Sequence, residues 1–289
     1  MSDFEIEDDD GDLTFVVTGP WTAHSEVQLL ESGAETLILN YARGYQELTL
    51  DFLDAWPIKH IELLSRTTTD LTPIYRLAGT LETLALIEGS REPLDYSIFE
   101  KLSWLVVRWK PGSLDAVQRS TGLKHLSISA YTETDLEPLG SLGGLRTLSV
   151  ASRSRMQTLD GIENFPQLTL LDASSCYQLT NIDALAGARL LEELDLQGCK
   201  RLSDLSAIEN LTELRLLNLG NIGEVESFWP LAGLVNLEML RVFESTRPLD
   251  NDLMPLLQLR NLEHLGIRHR RAYSPGADVV KRELGLPPR

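Results

Sequence analysis

Apolar residues recur along the chain in one hexad, apolar-x-x-Leu-x-apolar. It reads LETLAL from Leu81, LSWLVV from Leu102, LKHLSI from Leu123, LRTLSV from Leu145 and LTLLDA from Leu168. It continues as LEELDL from Leu191, LRLLNL from Leu214, LEMLRV from Leu237 and LEHLGI from Leu262. Successive copies lie 21, 21, 22, 23, 23, 23, 23 and 25 residues apart, and IKHIEL from Ile58 fits 23 residues before the first. Leu48/Leu50 and Leu37/Leu39 mark shorter turns upstream. Inside each hexad the alternation has the period of a strand, and the longer period is that of an internal repeat.

Two further columns keep the same phase. One is apolar-x-small-or-Pro-apolar, about nine residues before most strands: Leu136-Glu-Pro-Leu139, Leu159-Asp-Gly-Ile162, Ile182-Asp-Ala-Leu185, Leu205-Ser-Ala-Ile208, Phe228-Trp-Pro-Leu231 and Leu253-Met-Pro-Leu256. The other is Met156, Leu179, Leu202 and Val225, each 23 residues after the last. Each repeat therefore offers one inward strand and two inward points on a return too short for more than a turn or so of helix. Proline near the start of that return costs nothing, because the first helical N–H has no partner to lose. One repeat cannot bury its leucines, but stacked repeats share a continuous core with parallel strands about 4.8 Å apart. The pattern predicts an α/β solenoid, right-handed by the usual crossover rule, with a parallel sheet on its concave face and 3-10 or helical returns on its convex face.

Over roughly residues 33–270 the chain resembles the leucine-rich-repeat superfamily. The 22–23-residue period with Leu-x-Pro-Leu returns is similar to the short class found in internalins and in the leucine-rich regulatory subunit of protein phosphatase 1. The turns around Cys176 and Cys199 resemble those of the cysteine-containing class. The asparagine ladder of the family is replaced, with Arg153, Cys176, Cys199, Ile222 and Ser245 at the corresponding positions. The resemblance implies a solenoid and says little of biochemical role.

A terminal repeat exposes its apolar face, so caps are expected at both ends. At residues 1–32, Phe4–Ile6 and Leu13–Val17 flank an acidic turn and read as a hairpin, followed by a short helix from Trp21 that stops at Gly33. The solenoid is expected over 33–270, and a C-terminal cap with a helix at Asp278–Leu284 over 271–289. No stretch rich in Gly, Ser or Pro marks a linker.

Composition adds constraints. Leucine supplies 56 of 289 residues, and 43 acidic against 26 basic side chains leave a net charge of −17. That balance argues against a non-specific grip on nucleic acid or an anionic membrane. The acidic start is not that of a signal peptide, and no apolar run approaches the roughly 18 residues of a membrane span, so a cytoplasmic monomer without cofactor or metal is expected.

Candidate chemistry is sparse. The run Asp8-Asp9-Asp10-Gly11-Asp12 fails as an EF-hand loop, since with Gly11 as the central glycine Ile6 takes the first ligand position and Val17 the last. Cys176 and Cys199 stand one repeat apart in phase, near enough for a disulfide, but as ladder residues they are expected to be buried free thiols. His60, His125 and His264 fall on the exposed side of widely separated strands, and His24 and His269 lie outside them. Phosphate loops, nucleophile elbows and HExxH are missing, so no enzyme activity is expected.

What remains is the open side of the sheet. Alternation places Trp104, Val106 and Arg108 there, then His125, Leu170, Asp172, Glu193, Asp195 and Asn218, and finally Met239, Arg241, Phe243, His264 and Arg268. A merely solvated face would carry short polar residues, whereas exposed Trp, Met and Phe beside Arg have the composition of interface anchors. The expectation is a protein-binding module whose concave sheet holds a partner by apolar anchors, with Asp172, Glu193 and Asp195 selecting a basic group. The alternative is a regulatory or neutralising subunit of an enzyme or toxin.

Overall fold

The computed structural model describes residues 3–87 and 92–287, in two compact units, residues 1–126 and 127–289. In the first unit β1 (Phe4–Asp9) and β2 (Asp12–Val17) form the expected hairpin, closed by Asp10 and Gly11 at φ 53° and 98°. Helix α1 (Ala23–Ser32) is started by Thr22, whose hydroxyl accepts from the Ser25 N–H at 3.2 Å, and stopped by left-handed Gly33. Strands β3 (Thr36–Asn40), β4 (His60–Leu64), β5 (Thr83–Leu86) and β6 (Trp104–Arg108) then pair in parallel. The hairpin is more than a lid, because β2 pairs in parallel with β3 and carries the sheet on. A short helix, α2 (Ser113–Val117), forms the return that follows β6.

The boundary between the units falls within β7 (His125–Ser129). In the second unit β8 (Thr147–Ser149), β9 (Leu170–Asp172), β10 (Glu193–Asp195) and β11 (Leu216–Asn218) pair in parallel, residue for residue at 23-residue spacing. The third column makes a small sheet of its own, in which β12 (Glu224–Val225) pairs with β14 (Arg247–Pro248). Between these two in the chain lies β13 (Met239–Val242), which extends the main sheet from β11 to β15 (His264–Ile267). The chain closes with α3 (Ala277–Glu283), one residue from the expected range.

Apart from α2, the returns among the described residues are short 3-10 helices, as at Glu137–Leu139, Ser206–Ile208 and Met254–Gln258, with Pro at the first or second helical position in four of them. All three predicted columns point inward. Leu148, Leu171, Leu194, Leu217 and Leu240, the return residues Leu139, Leu185, Leu231 and Leu256, and Met156, Leu179 and Val225 are fully buried. The phase of the repeat is thus correct throughout.

The ladder position is one residue off in two turns. Cys176 and Cys199 are buried as expected, but Ser154 and Thr246 take the place assigned to Arg153 and Ser245, both of which are exposed. In the first case the turn holds an extra left-handed residue, Ser152 and Arg153 both having positive φ, which pushes the inward side chain on by one. The thiols serve the fold: Cys176 Sγ donates to the Val150 carbonyl at 3.4 Å and Cys199 Sγ to that of Ala173 at 3.2 Å. Thr246 Oγ1 repeats the bond to the Leu219 carbonyl at 2.5 Å.

Burial pushes the Cys176 thiol up to about 11 and shifts Cys199 in the same direction. A thiol reagent should therefore label neither cysteine below pH 8 until the chain is denatured. Rapid labelling of the folded protein would return the pair to the list of reactive groups. The unfolded chain ionises its thiols first, so stability is present below about pH 9 and falls as the pH rises towards 11. For each thiol the slope is about 1.4 kcal/mol per pH unit. A Cys176→Ser/Cys199→Ser variant should lose that slope between pH 9 and 10.

Candidate functional site

Strand alternation places the candidate residues on the outer side of the sheet. In the first unit Trp104 and Arg108 are exposed and Val106 is half-buried between them. The His125 N–H donates to the Ser103 carbonyl at 2.9 Å, which sets His125 one turn on from Trp104. The two rings stack with centroids 4.4 Å apart and planes 24° from parallel. Trp104 still leaves 46% of its surface in water. The expected patch is thus a contiguous aromatic pair flanked by a guanidinium.

In the second unit the polar candidates behave differently from the expectation. Asp172 accepts from Ser149 Oγ and from the Ser174 N–H, both at 2.9 Å. Asp195 accepts from the Gln197 N–H at 2.8 Å and from Asn218 Nδ2 at 2.9 Å. Asn218 is 1% exposed; it also donates to Gln197 Oε1 at 3.0 Å and accepts from the Gly220 N–H at 3.1 Å. These three residues close the turn after each strand and tie neighbouring turns together. Asn218 is therefore spent on bonds within the fold, and both oxygens of each aspartate are already engaged. Glu193 remains exposed, and no hydrogen bond or ion pair engages its carboxylate among the described residues.

The apolar end of this face is also revised. Phe243 is half-buried, with its ring over Gly220: a Cβ on Gly220 would lie 2.7 Å from Phe243 Cζ. It is held by the fold rather than left in water. Leu170 and Met239 are half-buried, while Arg241, His264 and Arg268 are exposed. A shallow cavity of about 310 Å³ joins Leu216, Met239 and His264 to Glu192, Glu193, Glu238 and Glu263. The reading by alternation passed over the glutamates just before the strands. Their signal was the first variable position of each hexad, at 192, 238 and 263. Arg215 occupies the same column and gives Nε and Nη2 to Glu238 Oε1 at 2.9 and 2.7 Å.

Among the described residues no cluster of His, Cys, Asp or Glu could hold a metal ion, and no helix is long and apolar enough to cross a membrane. The molecule belongs to the class of parallel-sheet solenoids with 3-10 returns. Its fold is that of the leucine-rich-repeat proteins. A leucine-rich-repeat protein of Leptospira interrogans matches it with TM-score 0.54 and 21% identity, over 71% of this chain and 60% of that one. The functional domain of InlJ from Listeria monocytogenes, described as including a cysteine ladder, matches with TM-score 0.50 and 18% identity, over 79% of this chain and 51% of that one. This chain thus spans about half to three fifths of the length of those two. No protein-family model and no curated protein matches the sequence.

Proposed function

We propose that the protein is a non-enzymatic binding module that holds a protein partner on the concave sheet face. The observation that carries the reading is Trp104, an aromatic ring stacked on His125 and still nearly half exposed on a rigid strand. Burying such a ring between two proteins releases more apolar surface from water than any neighbouring side chain could, which is why Trp dominates binding hot spots. Arg108 beside it supplies charge for orienting a partner.

Photo-crosslinkers placed at Val106 and, as a control, at Glu209 on a return should identify the partner, and titration calorimetry then gives its affinity. Trp104→Ala is expected to weaken binding at least tenfold, about 1.4 kcal/mol or more, with little change in melting temperature. Glu209→Ala should change neither. Normal binding by Trp104→Ala together with crosslinking only from Glu209 would move the site to the returns.

A further inference from the structure

The two ends of the sheet carry opposite charge, and both are open. β15 pairs with β13 alone. The His264 N–H donates to the Glu238 carbonyl, so the parallel ladder turns the backbone groups of His264 and Gly266 towards β13 and those of Leu265 and Ile267 outward. No backbone group among the described residues bonds to Leu265 or Ile267 on that side. Helix α3 packs on the return Met254–Gln258. Cavities of about 370 and 500 Å³ lie along β15, lined by Leu265, Gly266, Ile267, Arg268, Lys281 and Leu286. An unpaired edge of this kind is a template for another strand.

Charge around the edge is basic. Arg241, Arg268, Arg270, Arg271, Lys281 and Arg282 stand there against Glu244, Glu263, Asp278 and Glu283. At the other end β1 is exposed along nearly its whole length, with Ile6 42% in water, and its outward backbone groups include those of Ile6 and Asp8. Asp3, Glu5, Glu7, Asp8, Asp9, Asp10 and Asp12 surround it, and the first Lys or Arg in the chain, Arg43, bridges Glu5 and Glu7. Two β1 edges repel each other, and so do two β15 edges. Only the unlike pairing is attractive.

We propose that β1 of a second copy of this chain adds to the open β15 edge, so that the protein associates head to tail. Such a contact is heterologous and leaves one edge of each kind free for the next copy. The monomer expected from the sequence is then the dilute state.

Sedimentation velocity on the full chain tests this at about 100 μM and about 150 mM salt, where the Debye length of roughly 8 Å screens the net −17 but not charges in contact. The wild type should sediment well above the 32.3 kDa of one chain. Asp3→Lys/Asp8→Lys/Asp9→Lys/Asp12→Lys gives two basic edges and Arg268→Glu/Lys281→Glu two acidic ones, so each variant alone should be monomeric while their mixture associates. Ile267→Pro keeps every charge, removes an outward N–H and should also yield monomer. A wild type that stays at one chain mass, or a mixture that fails to associate where the wild type does, overturns the proposal.

Discussion

Gly161→Ala is expected to destabilise the protein by about 2–5 kcal/mol in urea denaturation. The residue sits at φ 92°, where a side chain costs about 1–2 kcal/mol. It also has no room: a Cβ there would lie 2.4 Å from the Glu137 nitrogen and 2.7 Å from Glu137 Cα and from the Leu136 carbonyl carbon. Those atoms are backbone of the preceding turn, fixed in part by the Leu136 N–H bond to the Asp160 carbonyl at 2.8 Å, so the clash must push two turns apart. Overpacking of that sort adds about 1–3 kcal/mol. Gly198 is the control. Its φ is 78°, but its nearest neighbour would stand 3.6 Å from an added Cβ, so Gly198→Ala should lose only the strain. Equal losses at both sites would mean that the close approach at Gly161 contributes nothing.

Leu194→Ala should cost a similar 2–5 kcal/mol, for a different reason. Leu194 is fully buried and stands in register between Leu171 and Leu217 on the neighbouring strands. Removing its isobutyl group leaves a hole that neither neighbour can fill without leaving its own turn. Because each repeat is held by its neighbours, protection from hydrogen exchange should fall in the turns on both sides as well as in β10. A loss below about 1 kcal/mol, or one confined to β10, would contradict stacking as the source of stability.

The solenoid was legible because every turn must supply its own inward leucines, so the geometry is written out again about every 23 residues. Burial of Leu194, Leu179 and Leu231 follows from phase alone. The exposed side of Trp104 follows from alternation by two. Alternation says which way a side chain points, but not what stands beside it. Stacking sets residues 23 apart side by side, which lets Asn218 reach Asp195 and Ser149 reach Asp172, and turns would-be recognition groups into internal bonds. The seat of Phe243 was legible in principle, since Gly220 lies 23 residues earlier and vacates the space its ring fills. The shifts to Ser154 and Thr246 were not, because a turn one residue longer changes the inward position without disturbing the strands on either side.

The bend after β7, β8, β9, β10, β11 and β13 is also repeated, with no common residue to mark it. Ala130, Ser152, Ser175, Gly198, Asn221 and Glu244 are all left-handed, with φ between 57° and 78°. For an ordinary residue that conformation costs about 1–2 kcal/mol, and for glycine the loss of chain freedom on folding costs less. The two penalties offset each other only in part, so serine or glutamate is tolerated there at a cost of about 1 kcal/mol relative to glycine. Such a rim is evolutionarily permissive: its side chains can drift in size and charge over generations while the backbone keeps its path. A lineage could retune what this protein recognises at the border of its sheet without risking the leucines beneath.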